Sequence, residues 1–309
     1  MRGKLVSAVE WGDDRGIWSC SLLYLDEEFK RIPLEPGSHL SFKVLEGRFC
    51  IGFTRLSGEA NEEGSSDAWR ELSPCPYGAE VERGTRCRRC AMSDVTRACL
   101  RCTGVDCLAH PALRRVCEGS VAYVYLASFG AGRIKAGVSR GSRIMKRWIE
   151  QGADVARRVL VGNGREVRRY ERQIQDELGA LRRVKAEQKM DIRRSDANLE
   201  RSLRLLNAFE ERVRGRFPEA HHFHEESRIL LPQYRLPELD KRPLELRIRK
   251  GLEVSGEVLG VKGPILLIEM RDLPFTLNLN GLIGRRIETE EVSLTSAQTG
   301  LDRFLYEPW

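Results

Sequence analysis

The stretch Val121-Ala-Tyr-Val-Tyr-Leu-Ala-Ser-Phe-Gly-Ala-Gly-Arg-Ile-Lys-Ala-Gly-Val138 decides how the fold is read. Residues 121–127 and 133–138 are β-branched, aromatic and small apolar runs on either side of Gly130-Ala-Gly132. Two such runs around a glycine-rich turn predict a β-hairpin. A helix over residues 141–151 and a third strand over 155–161 are expected to follow. The result is a small α/β unit. Its glycine turn is not a phosphate loop, because no Gly-Lys-Ser/Thr follows it.

Two long helices are expected downstream. Val167, Tyr170, Ile174, Leu178 and Leu181 recur at spacings of three and four, as do Leu199, Leu203, Leu206, Phe209 and Val213. Their other faces are crowded with arginine, which reads as a solvated face or as a surface that tracks phosphates. Upstream, residues 5–9, 17–24 and 39–44 read as short strands, with a turn at Pro36-Gly37. A polar run rich in Gly and Ser, residues 57–68, reads as a linker. Residues 252–256, 258–262, 264–268 and 275–279 return to strand patterns, so two small β modules at the two ends could pack together.

The 309-residue chain carries a net charge of +7, and its pI near 9.0 favours a polyanionic partner. A hydrophobic content of 41% and a mean hydropathy of -0.41 are those of an ordinary globular protein. No apolar run reaches the ~18 residues of a membrane span. The first residues, Met1-Arg-Gly-Lys-Leu5, lead into no apolar signal region. The expected compartment is the cytoplasm, with no membrane partner.

Seven of the nine cysteines fall within residues 75–117. Such clustering in a cytoplasmic protein argues for metal rather than disulfides. Cys87-x2-Cys90 and Cys99-x2-Cys102 are eight residues apart, a spacing that suits a closed tetrahedral thiolate site for structural zinc. Arg86, Arg88, Arg89, Arg97 and Arg101 surround the pairs and favour thiolate. Cys75, Cys107, Cys117 and His110 lie within reach. Two ligand arrangements stay open. One is a single four-cysteine site. The other joins Cys75, Cys87 and Cys90 to a fourth ligand and groups Cys99, Cys102, Cys107 and Cys117 in a second site. Cys20 and Cys50 sit in apolar strands and read as core.

Residues 123–171 resemble the GIY-YIG nuclease superfamily. Tyr123-Val-Tyr125-Leu resembles its first strand motif, and Ile134-Lys-Ala-Gly137-Val-Ser139 the second, with Lys135 in place of a tyrosine. Arg147 follows on the next helix, and Glu171 on the helix after the third strand. The resemblance implies that Tyr125 and Lys135 help activate water, that Arg147 steadies the phosphate, and that Glu171 holds Mg2+ or Mn2+. Arg143 is a second candidate for the arginine. Tyr123 stands where the first motif has glycine, and the arginine comes two residues late. Tyr123, Arg140, Arg143, Trp148 and Gln151 are candidates to contact nucleic acid; Trp148 reads first as a packing tryptophan, with stacking on a base, beside a bond from Gln151, as the alternative.

The whole chain is also similar to an uncharacterised family of prokaryotic proteins. Those proteins join a β segment, a cysteine-rich segment, a stretch like Tyr123-Val-Tyr-Leu-Ala…Lys135-Ala-Gly-Val-Ser-Arg…Arg147-Trp-Ile-Glu-Gln-Gly-Ala153, and a late motif like Gly256-Glu-Val-Leu-Gly-Val-Lys-Gly263. Where that pattern leads one to expect an early Cys-x2-Cys, this chain has Cys75 and then Gly78.

The expected class is α+β. An N-terminal β module spans residues 1–56 and a linker 57–74. A zinc-ribbon-like cysteine segment spans 75–117, a GIY-YIG-like α/β domain with a helical extension 118–240, and a C-terminal β module 241–309. His221, His222 and His224 with Glu225 and Glu226 read as a helix end on the surface, with metal binding as the alternative. Two functions stand side by side: a metal-dependent nuclease acting on DNA or RNA, and a non-catalytic RNA- or ribosome-associated binding protein.

Overall fold

The computed structural model describes residues 3–57, 70–130, 132–185, 189 and 196–289. Most of the polar run 57–68 and the last twenty residues lie outside them. The described chain is a mixed α/β fold dominated by sheet. No helix among the described residues is long and apolar enough to cross a membrane.

The central strands form the expected hairpin. β7 (Val121–Phe129) pairs antiparallel with β8 (Arg133–Arg140), in a register that sets Tyr125 opposite Gly137 and Ala127 opposite Lys135. The other edge of β7 pairs with β9 (Val155–Asn163), and β10 (Arg228–Ile229) extends this four-stranded sheet. Side chains alternate across a strand. Ala122, Val124 and Leu126 therefore face one core, shared with Ile174, Leu206 and Phe209. Tyr125, Ala127 and Phe129 face the other, shared with Trp148, Phe42 and Ile268. Burial on both faces explains why the sequence of β7 is an almost unbroken apolar run.

The helices cover the first core. α5 (Gly164–Glu177) starts at Asn163, whose side chain accepts from the backbone N–H groups of Arg165 and Glu166, both at 3.0 Å. α6 (Asp196–Arg216) packs beside it. These helices, of 14 and 21 residues, are the only described ones longer than nine. The expected long helices are thus a minor part of a sheet-rich chain. The period-four pattern that ran on to Leu181 leaves the helix early, because Gly179 takes a positive φ of 76°. Leu181 then bonds to Ile134 at the edge of β8 at 2.9 Å.

The two terminal β segments form one sheet of nine strands. From the N-terminal segment come β1 (Lys4–Asp14), β2 (Ile17–Leu25), β3 (Phe29–Pro33) and β4 (His39–Val44). From the C-terminal segment come β11 (Leu244–Leu246), β12 (Glu253–Lys262), β13 (Ile265–Met270), β14 (Leu273–Asn278) and β15 (Arg286–Glu288). β4 pairs with β12, and β15 inserts between β1 and β4. The Ile17-Trp-Ser-Cys-Ser-Leu-Leu strand and the two-faced β13 run Ile265-Leu-Leu-Ile268 supply much of its buried surface.

This large sheet is fastened to the small one at the end of α4 (Ile144–Gln151). Gly152 ends the helix at a φ of 73° and abuts Gly263 so closely that a Cβ on Gly263 would lie 2.5 Å from the Gly152 nitrogen. Trp11 donates to the Gly263 carbonyl at 3.2 Å, and the Tyr234 hydroxyl donates to the Ala153 carbonyl at 2.8 Å. Lys262, only 1% exposed, pairs with Asp154 at 2.5 Å. A buried ion pair tolerates few rearrangements, so this junction fixes where α4 lies.

Candidate metal centre and basic cleft

Of the two arrangements left open, the structure forms the one in which Cys75, Cys87 and Cys90 take a fourth ligand. The Sγ atoms of Cys50, Cys75, Cys87 and Cys90 all lie within 4.8 Å of one another. Cys87 and Cys90 therefore group with Cys50 and Cys75, not with Cys99 and Cys102. Cys50, read as a core residue, is the fourth member. The hairpin of β5 (Phe53–Leu56) and β6 (Arg70–Ser73) makes this possible. Phe53 pairs with Ser73, so Cys50 just before β5 and Cys75 just after β6 come together. Residues 70–73, expected in the linker, form β6. Cys87 and Cys90 arrive on α1 (Arg88–Ser93), from its N-cap and first turn.

Backbone N–H groups converge on the sulfurs. Cys50 Sγ accepts from Gly52 at 3.4 Å and Cys87 at 3.1 Å. Gly52 has no room for a side chain, since a Cβ would fall 1.8 Å from the Ser73 carbonyl oxygen. Burial pushes the Cys75 thiol up, but the N–H groups of Ala79 and Tyr77 and the thiols of Cys90 and Cys50 outweigh it and hold Cys75 at about 7. Burial pushes Cys50 and Cys90 up. Four close sulfurs with N–H donors behind them can hold a structural metal ion such as zinc. All nine cysteines are free thiols.

A second cluster surrounds Tyr125. Its hydroxyl accepts from Gln151 Nε2 at 2.6 Å, and the Gln151 oxygen accepts from Lys135 Nζ. A Cβ on Gly137 would lie 2.4 Å from that hydroxyl, so the glycine makes room for the tyrosine ring. Burial pushes the Tyr125 hydroxyl up, against the pull of Arg147 and Gln151. Burial, with Arg147 and Lys189 adding their repulsion, lowers Lys135 to about 7. Burial raises Glu171, opposed by Arg168, Lys135, Arg147 and a hydrogen bond from Gln175. Lys135 and Glu171 thus lie within electrostatic reach of each other and of Arg147, and Tyr125 within that of Arg147 and Glu171.

Of this cluster, Arg147 also lines a cavity of about 260 Å³. Its lining includes Arg70, Arg140, Arg143 and Arg168 as well as Cys99, Cys102, Cys107 and Cys117. Arg143 and Arg147 also reach Glu150, at 3.5 and 3.8 Å. Several guanidinium groups around one cavity, two of them sharing a carboxylate, favour an anion.

Against protein-family models, residues 81–287 match the family described as "Protein of unknown function (DUF2797)". The chain belongs to this family. No curated protein and no solved structure matches it. The DUF2797 segment contains the whole small sheet, α4, α5 and the Cys99–Cys117 group, whereas Cys50 and Cys75 lie upstream of it.

Several expected contacts fall elsewhere. Trp148 is 1% exposed and packs edge-on against Tyr125, with ring centroids 6.0 Å apart. It is a core residue and has no face to offer a base. Gln151 is buried too, and its amide is spent on Lys135 and Tyr125. Tyr123 packs edge-on against Phe223 and stacks with Arg158. His110 Nδ1 accepts from Ala112 and caps α3 (Pro111–Gly119). His222 bonds to the Phe217 carbonyl, His224 to Arg214 and Glu225 to Arg158, and no metal grouping forms there among the described residues. The sequence reading missed Arg168 and Gln175, yet both share a helix face with Glu171 at spacings of three and four.

Proposed function

We propose that this protein binds nucleic acid through the arginine-lined cavity and cleaves it there with a divalent metal, while zinc at Cys50, Cys75, Cys87 and Cys90 holds the cysteine hairpin together. The reading is supported by one observation: Lys135, Arg147 and Glu171, from β8, α4 and α5, lie within one another's electrostatic reach, and Arg147 also lines that cavity. Glu171, half-buried and influenced by Arg168, Lys135 and Arg147, offers an acidic ligand close to the residue that lines the cavity, Arg147. Glu171 would hold Mg2+ or Mn2+, which would supply neutralisation of phosphate charge and polarisation of water.

The remaining roles belong to the side chains. Arg147 pairs with a phosphate oxygen and faces the charge that develops on it. Lys135, lowered to about 7, is neutral in part at physiological pH and takes a proton from the attacking water. Gln151 fixes Lys135 relative to Tyr125.

A second reading is a binding protein without cleavage, with RNA, DNA or the ribosome as partner. The burial of Tyr125 beneath Gln151 favours it, since Tyr125 does not line the cavity. Incubating the full chain with RNA and DNA, single-stranded, duplex and structured, in Mg2+ or Mn2+ separates the two. Cleavage that Glu171→Gln abolishes supports the nuclease; binding without cleavage supports the alternative.

A further inference from the structure

We infer that Cys99, Cys102, Cys107 and Cys117 form a second four-thiolate zinc site, separate from the Cys50 centre. All four residues line the same cavity. They come from α2 (Arg97–Leu100), the loop after it, and α3. The electrostatic environment agrees: Cys117 feels the sulfurs of Cys102, Cys99 and Cys107, and Cys99 those of Cys102 and Cys107.

The local backbone repeats the device seen at the first centre. Gly104 donates to Cys102 Sγ at 3.4 Å, as Gly52 does to Cys50. Both glycines stand two residues after the cysteine with positive φ, 85° and 96°. Both touch a neighbouring backbone: a Cβ on Gly104 would lie 2.3 Å from the Arg165 carbonyl oxygen. Gly164, at the start of α5, likewise clears space for Cys117, whose Sγ would lie 2.4 Å from an added Cβ. Arg169 donates to the Gly104 carbonyl at 2.9 Å and Arg165 to Val105 at 2.6 Å, which anchors the cysteine loop to α5.

The second group is looser than the first, which alone among the described residues has its ligand atoms within 4.8 Å of one another. Zinc–sulfur bonds of about 2.3 Å require these sulfurs to draw in when the ion binds. Arg70 and Arg168 then face the doubly negative thiolate centre. A metal here would tie the cysteine segment to the helix that carries Glu171.

The test is zinc counting on the full chain by native mass spectrometry and elemental analysis. Wild type should carry two zinc ions. Cys99→Ser/Cys102→Ser should carry one, as should Cys87→Ser/Cys90→Ser. One zinc in wild type, or two retained by Cys99→Ser/Cys102→Ser, overturns the inference. Should either variant fail to fold, Co2+ titration of metal-free wild type decides. Thiolate-to-cobalt absorption that saturates at two equivalents agrees, and saturation at one contradicts.

Discussion

The side-chain amide of Gln151 donates to the hydroxyl of Tyr125 across 2.6 Å, joining the last turn of α4 to the middle of β7. Both groups are buried, so the bond has no water to replace it. Gln151→Leu should destabilise the fold by about 1–3 kcal/mol, the cost of leaving a buried polar group unpaired. Tyr125→Phe added to Gln151→Leu should recover part of that loss. Urea midpoints of the two single variants and the double check this.

The junction between the sheets has a sharper signature. Lys262→Met leaves the Asp154 carboxylate buried with the Gly130 N–H, at 2.5 Å, in place of its ammonium partner. The expected loss is about 3–5 kcal/mol. Lys262→Met/Asp154→Asn should regain much of it, because no buried charge is left alone. Thermal melts of the three proteins decide the matter.

Cys50 and Cys20 are both buried thiols with opposite expected roles. Cys20 sits in the core of β2, where burial alone pushes its thiol up. Cys50→Ser should release zinc to a chelator that wild type withstands. Cys20→Ser should keep wild-type zinc content. Elemental analysis after dialysis against the chelator reads the difference.

The hairpin around Gly130 was legible because β7 is a long β-rich run with glycines after it, and β13 and β14 were legible for the same reason. The nine-stranded sheet was not. β4 and β12 lie over two hundred positions apart, and their pairing leaves no local period in either segment. Cys50 was hidden by its neighbours, since Phe49 and Ile51 make it look like a strand interior. The missing early cysteine partner at Gly78 was the one sign that a ligand had to come from elsewhere. Trp148 and Gln151 were placed on the right helix, but the sequence could not show that the large sheet covers them.

Lys135 sets a pH dependence whose sign is fixed. Burial first, then Arg147 and Lys189, lowers it in the fold to about 7, against 10.5 for an ordinary lysine. Between those values the unfolded chain binds the extra proton, so stability rises with pH across this window. Lys189, lowered to about 8, adds a rise of the same sign. Lys135→Met should flatten the rise in part. Urea midpoints at a series of pH values from about 7 to about 10 measure it.

The most direct test is metal-dependent cleavage by the full chain, compared with Glu171→Gln and Arg147→Ala. Glu171→Gln keeps the shape of the acid and removes its charge. The account predicts that wild type cuts at least one RNA or DNA substrate with Mg2+ or Mn2+. It predicts that Glu171→Gln binds as well or more tightly and cuts nothing, and that Arg147→Ala both binds and cuts less. Wild type that cuts no substrate with either metal, or Glu171→Gln that cuts as well as wild type, would contradict it.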